Sequence, residues 1–490
     1  MRASGVLMHI SSLPNAYGIG SFGKSAYKFV DMLEDALQTY WQILPLCPTS
    51  FGDSPYQSFS TFAGNPYFID LEILCEQGLL NLSDFCDIDF GDDKTKVDYQ
   101  KVYLGRNKVF DKLQKNFFAA VPKDFDEFCK KESFWLEDYS LFMAIKEDFS
   151  GLEFTKWTKP LRDREHTALE QKRESLQVAQ ARHKMLQYLF YKQWFALKNY
   201  ANSKGIKIIG DLPIYVAADS ADVWANPKNF LLDKENLPTL VAGCPPDDFS
   251  ETGQLWGNPV YDWDYMKKCG YDWWVERIRS AGMLYDLVRI DHFRGFDSFY
   301  CIKYGSVDAK VGEWRNGPGM DLFNELKNRL GKLNVIAEDL GFLTPSVKQL
   351  LKDSNFPGMK VLQFAFGDED SDYLPHNYTK NSVVYTGTHD NDTILGWIDS
   401  SSKAELKFAK KYMGWGKLNR SMMKTALSSV SDTAILTMQD ILELDRSARM
   451  NLPNTVGINW LWRVTDKQLN KRTFKFLKKY TKLYSRARNN

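Results

Sequence analysis

Eight short apolar runs recur along the chain, and each leads into a polar or charged cluster. The runs are continuous rather than alternating, which is typical of strands that are covered on both faces, as in a parallel sheet. They predict eight strands, and these lie within residues 5–14, 40–48, 206–217, 284–293, 333–341, 359–366, 382–392 and 434–442.

Segments with helical periodicity separate several of these runs. Residues 25–37 carry apolar positions at helical spacing, and residues 320–331 end in a glycine stop. Residues 344–354 open with Thr-Pro, a common start for a helix. Strands that alternate with helices predict an α/β fold, most simply a (β/α)₈ TIM barrel that spans the whole chain, 1–490.

The spacing of the runs is uneven, which predicts two insertions in the barrel. Residues 65–200 form a predicted helical insertion subdomain after the second strand. Within it, the first half of residues 164–201 is polar and the second half is amphipathic. Residues 219–280, rich in Pro, Gly, Asp and Trp, form a predicted active-site loop insertion after the third strand.

The charge balance argues against nucleic acid or a membrane as a partner. Lys and Arg number 63 against 62 Asp and Glu, so the net charge is +1 and no global field favours a polyanion. The basic stretch 471–488 fits an amphipathic C-terminal helix with a solvated Lys/Arg face. No stretch approaches the length of about 18 apolar residues that crosses a bilayer.

The seven cysteines are odd in number and lack the spacing of a zinc site. They are interpreted as reduced thiols, so a cytoplasmic protein is expected. The sequence contains neither a phosphate-binding Gly loop nor a dinucleotide fingerprint nor a metal-ligand cluster, so no metal and no other cofactor is expected.

Aromatic residues make up 14% of the chain, with Trp and Tyr frequent in polar segments such as QLWGNPVYDWDY, 254–265. Most of the phenylalanines are expected in the core. A flat apolar ring with a polar atom also suits a sugar, which offers a C–H face and hydroxyl edges. By itself this composition is only weak evidence for a carbohydrate ligand.

Charged side chains follow four of the predicted strands, at the barrel rim where chemistry is located in such folds. Any one of them is compatible with a helix cap, but crowded carboxylates cost free energy unless they bind a ligand or share protons. The predicted cluster consists of Asp211, Arg289, Asp291, Glu338, Asp339, His389, Asp390 and Asp392.

Two of these carboxyl groups have surroundings that predict different pKa values. Arg289 and Asp291 are two residues apart and point the same way on a strand, so the guanidinium is expected to lower the pKa of Asp291. Glu338 follows an apolar approach that is expected to raise its pKa. Such a pair equips a retaining glycosidase, in which the two carboxyls stand roughly 5–5.5 Å apart. The alternative for Arg289 and Asp291 is a structural ion pair.

Several motifs resemble one enzyme family in its own order, from residue 5 to about residue 463. The most specific are SPYQSFSTFAGNPYFIDL (54–71) and residues 241–263, accompanied by IIGDLPIYVAADSADVWANP, VRIDHFRGF, VIAEDLG and YTGTHDNDT. The chain thus resembles the amylomaltases, the 4-α-glucanotransferases or disproportionating enzymes of glycoside hydrolase family 77, which are relatives of the α-amylases.

This resemblance implies roles for individual residues. Asp291 would be the nucleophile, Glu338 the acid/base and Asp390 the carboxylate that stabilises the transition state. Contacts to the substrate are implied for Tyr56, Asp211, Trp256, Arg289, His292, His389 and Asn459. One departure is Asn454, which stands where the family pattern has glycine, and asparagine tolerates a positive φ better than most residues.

The expected reaction is retaining double-displacement transfer of α-1,4-glucan segments, within maltooligosaccharide, starch or glycogen metabolism. Transfer requires that water be kept from the intermediate, and the excursion 219–260, with Trp224, Phe249 and Trp256, is the predicted cover. Two alternatives stay open from the sequence: an amylase-type α-glucan hydrolase, and a catalytically silent glucan-binding protein. Oligomeric state, preferred chain length and cyclic products are not predicted.

Overall fold

The computed structural model describes residues 2–246, 250–341, 343–414 and 416–488. Eight parallel strands close into a barrel, as the apolar runs predict. In chain order they are β1 (Ala3–Leu7), β2 (Tyr40–Gln42), β3 (Lys207–Leu212), β6 (Leu287–Ile290), β9 (Val335–Ala337), β10 (Gly358–Val361), β11 (Ser382–Tyr385) and β12 (Thr433–Thr437).

The barrel is a (β/α)₈ TIM barrel, because helices connect its strands and pack around it. Continuous burial of strands such as β1 and β11 explains their unbroken apolar sequence. The helices that follow β3 and later strands are α9 (Ala221–Ala225), α10 (Trp263–Lys268), α11 (Asp272–Leu284), α12 (Met320–Leu330), α13 (Pro345–Ser354), α14 (Ile394–Ser400), α15 (Lys403–Met413), α16 (Leu418–Ser428), α17 (Met438–Ile441) and α18 (Lys475–Leu483).

The segment between β2 and β3 is largely helical. The predicted helix over 164–201 divides at Leu176. Its first part buries only Leu169, whereas its second part buries a long series of side chains, as its amphipathic pattern predicts. The helices before β3 are α1 (Lys24–Asp35), α2 (Leu71–Glu76), α3 (Tyr99–Ala119), α4 (Phe125–Lys131), α5 (Ser133–Asp148), α6 (Lys159–Arg162), α7 (His166–Ser175) and α8 (Gln177–Ser203).

A second sheet lies outside the barrel and was not predicted from the sequence. It is antiparallel, with the strand order β5-β4-β7-β8. Two of its strands fall within residues 219–280, the segment that the sequence predicts to be a loop insertion. The strands are β4 (Leu240–Cys244), β5 (Gln254–Pro259), β7 (Ser298–Lys303) and β8 (Glu313–Asn316).

None of the helices in the described ranges is long and apolar enough to cross a membrane.

The C-terminus closes the amino-terminal end of the barrel through one buried arginine. Arg486 follows the predicted amphipathic helix α18, and its side chain is fully buried. Its guanidinium donates hydrogen bonds of 2.6–3.2 Å to carbonyl oxygens near the starts of β1 and β12. The acceptors belong to Ala3, Leu427, Ser429, Ser431 and Asp432.

We expect Arg486→Met to reduce the free energy of unfolding by about 3 kcal/mol, because buried carbonyl oxygens lose their donors. The midpoint of thermal unfolding at one scan rate measures this. Arg472→Ala is the matched control, since Arg472 is exposed on the same terminal segment. Equal midpoints for the two variants would contradict the closing role of Arg486.

Candidate active site

The register of the barrel strands brings the predicted charged residues together at the carboxyl rim. Asp211 on β3 lies opposite Arg289 on β6, and Ile290 lies opposite Ala337 on β9. The ladder continues past the strand ends, since the backbone N–H of Glu338 donates to the carbonyl of Ile290 at 3.0 Å. Asp291 and Glu338 therefore stand on adjacent chain segments at one level of the barrel.

Arg289 is the centre of a buried ion network. Its Nη1 lies 2.8 and 2.7 Å from the two carboxylate oxygens of Asp211, and its Nη2 lies 2.9 Å from Oδ1 of Asp291. The side chains of Arg289 and Asp211 are 3% and 0% exposed, whereas that of Asp291 is 28% exposed. The hydroxyl of Tyr56 donates to Asp211 at 2.8 Å. The arrangement favours a positioning role for Asp211 beneath the groove.

The predicted contact between Arg289 and Asp291 is confirmed, but the predicted direction of the pKa shift is wrong. Burial raises the pKa of Asp291 to about 6, and Arg289 only partly offsets that rise. The charges of Asp211 and Asp390 raise it further. The sequence shows a guanidinium close to the carboxylate, but it does not show that the fold removes this carboxylate from water, which costs free energy.

For Glu338 the predicted direction is confirmed. Burial is the largest cause, repulsion by Asp291 is the second, and together they raise the pKa of Glu338 to about 8. The carboxyl is held in place by two backbone donors, the N–H of His292 at 2.6 Å and the N–H of Leu340 at 3.0 Å. At pH 7 this site therefore pairs a mostly ionised Asp291 with a mostly protonated Glu338.

Asp390 faces the same groove from the end of β11, with 42% of its side chain exposed. Its Oδ1 lies 3.3 Å from Nε2 of His389 and accepts a hydrogen bond of 2.6 Å from Nδ2 of Asn451. Arg449 donates to its backbone carbonyl at 2.5 Å. Sequence reasoning missed Asn451 and Arg449, although the stretch that begins at Asn451 stood out through Asn454.

One wall of the groove is aromatic. The rings of Tyr56 and His389 stack at 5.1 Å, with 13° between their planes. Trp460 contacts both, with ring centroids at 5.8 and 5.9 Å. Trp460 was not predicted, although its neighbour Asn459 was, because it lies on an irregular segment without a periodic pattern.

The opposite wall is formed by His292 and Trp256. Their rings meet edge to face at 4.8 Å. Burial and the nearby Arg294 lower the pKa of His292 to about 3, so this imidazole is neutral at pH 7. Its backbone is left-handed, with φ 53°, a costly conformation for a residue other than glycine. This conformation accompanies the hydrogen bond from its N–H to Glu338.

The prediction that Trp224 belongs to a cover over the site is wrong. Trp224 is 1% exposed, its indole N–H donates to the carbonyl of Leu161, and the Arg164 guanidinium lies 4.2 Å from its ring. It therefore packs against the helical segment before β3. Phe249 lies outside the described residues. Among the described residues of the predicted cover, Trp256 contacts the groove through His292.

Asn459 lies in the same loop as Asn451, and its amide is bound within that loop. It accepts from the N–H of Leu452 at 2.8 Å and donates to the carbonyl of Thr455 at 2.8 Å. Contact with a ligand therefore stays a prediction for this residue. Asn454 has φ 64°, the left-handed conformation expected where asparagine replaces glycine.

Two further carboxylates of the predicted cluster serve local structure. Asp339 is 4% exposed and accepts the N–H of Met359 at 2.5 Å. Asp392 accepts the N–H of Thr393 and pairs with Arg446 at 3.1 Å, next to the start of α14. The groove itself is therefore lined by Asp291, Glu338 and Asp390.

The sequence matches the family described as 4-alpha-glucanotransferase, glycoside hydrolase family 77, over residues 8–469. It is 53% identical to a 4-alpha-glucanotransferase of Streptococcus pneumoniae, covering 100% of this chain and 98% of that protein. It is 50% identical to a 4-alpha-glucanotransferase of Clostridium butyricum, covering 98% and 100%.

A solved structure gives the same result. It is an amylomaltase from Streptococcus agalactiae in complex with acarbose, with a TM-score of 0.98 and 45% sequence identity over 100% of both chains.

The ion network predicts that replacing a buried aspartate and replacing an exposed aspartate will change the free energy of unfolding by very different amounts. Asp211→Ala is expected to reduce the free energy of unfolding by about 3–5 kcal/mol, because it leaves the buried Arg289 without its bidentate partner. Equilibrium unfolding in urea measures the change. Asp372→Ala is the matched control, since Asp372 pairs with Lys348 on the surface, where ion pairs contribute little. Similar losses in both variants would contradict the importance of the buried network.

Proposed function

Because the chain belongs to the 4-alpha-glucanotransferase family, glycoside hydrolase family 77, we propose that it transfers α-1,4-glucan segments by a retaining mechanism centred on Asp291 and Glu338. The observation that carries this assignment is the split between two neighbouring carboxyls. The pKa of Asp291 is about 6 and that of Glu338 is about 8. One group is thus prepared to attack and the other to donate a proton at neutral pH.

In the first step, a carboxylate oxygen of Asp291 attacks the anomeric carbon of the donor glucan. Glu338 protonates the glycosidic oxygen, the reducing-end fragment leaves, and a β-linked glucosyl–enzyme forms. Arg289 holds Asp291 at 2.9 Å, which fixes the direction of attack. Positive charge that develops on the sugar ring is stabilised by Asp390, whose carboxylate is oriented by Asn451.

In the second step, Glu338 acts as the base. It removes the proton from the 4-hydroxyl of a second glucan or of glucose, which attacks the intermediate and releases Asp291. Two inversions leave the new bond in the α configuration. The loss of the first negative charge when Asp291 is glycosylated lowers the pKa of Glu338, since Asp291 is one cause of its elevation.

Transfer competes with attack by water. Trp256, on β5 and packed edge to face on His292, is the described residue in a position to shield the intermediate on that side. On the other side, Tyr56, His389 and Trp460 present a wall of rings to the sugar. This wall is proposed to hold the donor sugar of the intermediate and to limit the access of water from that side.

The substrates are α-1,4-glucans and maltooligosaccharides. An amylase-type hydrolase shares the same carboxylates, and the family membership favours transfer over that alternative. A silent binding protein has no use for a split carboxyl pair. We also propose a cytoplasmic location, supported by seven cysteines that all carry free thiols.

With maltotriose as the only substrate, the purified enzyme is expected to give both glucose and oligosaccharides longer than maltotriose, because the acceptor is another glucan. Chromatography of the product ladder measures this.

Glu338→Gln is expected to lower turnover at least 10²-fold by removing the acid/base, with Glu313→Gln on the exposed strand β8 as control. Shorter products alone would refute transfer, and normal turnover in Glu338→Gln would refute the role of Glu338.

The pH profile of kcat/KM is expected to be bell-shaped with limbs near pH 6 and pH 8. Activity rises as Asp291 loses its proton and falls as Glu338 loses its own. With α-maltosyl fluoride, whose leaving group needs no proton, the fluoride burst of Glu338→Gln should keep only the acidic limb. A persistent fall above pH 8 in that burst would assign the basic limb to another group.

A further inference from the structure

A cleft outside the catalytic groove opens between the helical segment before β3 and the helices that follow it. Its volume is about 410 Å³, within the usual range of roughly 300–1,000 Å³ for small-molecule sites. Helix α5 contributes Phe134 and Asp138 to one side, and α11 contributes Trp273 and Glu276 to the other. These residues are distinct from those that line the groove.

The floor of this cleft is aromatic and held in fixed orientations. Phe62 lies at its centre and contacts Phe134 at 5.4 Å, Trp273 at 6.2 Å and Trp135 at 6.4 Å between ring centroids. Although it packs on Phe62, Phe134 leaves 48% of its surface exposed. An oriented ring that stays open to solvent offers a platform for an apolar C–H face.

The lining includes four carboxylates. Asp222 is 4% exposed and accepts the N–H of Thr61 at 2.7 Å, whereas the other three are each paired with an arginine. Asp138 pairs with Arg164 at 2.7 Å, Asp272 pairs with Arg329 at 2.5 Å, and Glu276 pairs with Arg279. Each carboxylate keeps lone pairs for further hydrogen bonds. A cation gains little from such a rim and an anion is repelled, whereas a neutral polyhydroxyl ligand finds acceptors without an unpaired charge.

Amide groups complete the rim. Asn226 and Asn229 line the cleft from the segment after α9, and an amide both donates to and accepts from hydroxyl groups. The Nδ2 of Asn226 is fixed by a hydrogen bond of 3.1 Å to the carbonyl of Asp222, which leaves its oxygen oriented. An aromatic floor within a charge-balanced rim of acceptors and amides is the chemistry that a sugar chain requires.

From this geometry we propose that the cleft is a second binding site for an α-glucan chain, an inference that rests on the proposed function for the identity of the sugar. The cleft and the groove share one loop. Tyr56 of that loop faces the groove, while Ser60 and Phe62 line the cleft. A polymer held in the cleft raises the local concentration of chain ends at the groove, which increases the apparent affinity for long glucans.

Calorimetric titration of Asp291→Asn enzyme with maltoheptaose tests the site without turnover. Two classes of binding site are expected. Adding Phe134→Ala, or separately Asn229→Ala, should remove one class and leave the other unchanged. Phe118→Ala is the matched control, because Phe118 is an exposed phenylalanine of α3 outside the cleft. A single class in the parent, or two unaltered classes in both cleft variants, would overturn the proposal.

Kinetic measurements on enzyme that retains Asp291 distinguish a failure of the proposed cleft site from a failure of the proposed transfer activity. Phe134→Ala is expected to raise KM for amylose on the order of 3–10-fold and to leave kcat and KM for maltotriose unchanged. Equal KM values for amylose in Phe134→Ala and the parent enzyme would count against the cleft. Failure of the parent enzyme to lengthen maltotriose would instead count against transfer, with the calorimetric result unaffected.

Discussion

The buried guanidinium of Arg289 is the constraint on which the rest of the site depends. It lies at the end of β6 between two carboxylates, with both oxygens of Asp211 below it and Asp291 above it. Burial favours the protonated form of Asp291, since it is the largest cause of the raised pKa of this carboxyl. Arg289 limits that rise, and Asp211 supplies the charge that allows Arg289 to be buried. The proposed nucleophile Asp291 therefore depends on Arg289, a partner that is itself buried.

Burial raises the pKa of both carboxyls, which opposes the ionisation of Asp291 but keeps the proton on Glu338. Both residues lie at the rim of the barrel, but Arg289 pairs with Asp291, whereas two backbone N–H groups donate hydrogen bonds to Glu338. Its proximity to Asp291 adds repulsion to desolvation. Because Arg289 pairs with Asp291, it offsets the effect of burial there more directly than at Glu338. The resulting separation of the two pKa values supports the attacking and proton-donating roles that we propose.

Most of the barrel could be predicted from the sequence because its strands are buried on both faces and read as unbroken apolar runs. The outer sheet could not, since β8 is exposed along its whole length and β4 pairs with β7 about sixty residues away along the chain. Within the site, strand-end carboxylates were predicted from their position after each run. Residues such as Asn451 and Trp460 were missed, because an irregular segment gives no periodic signal for the place where it folds back. Trp224 was misplaced for a related reason: sequence shows a tryptophan in a polar segment, but not the helices α5 and α6 that cover it.

The loop between β2 and α2 connects the helical segment before β3 with the groove that holds the proposed catalytic carboxylates. Its N-terminal part places Tyr56 over Asp211, and therefore over the ion network that controls Asp291. Its next few residues are anchored from the other side, because the N–H of Thr61 donates to Asp222 and Phe62 packs against α5. The helices before β3 thus supply part of the support for this loop, which also carries the ring of Tyr56 stacked on His389. We therefore propose that the helical segment before β3 supports one wall of the groove, and the exposed ring of Phe134 in this segment is where we place the second glucan chain.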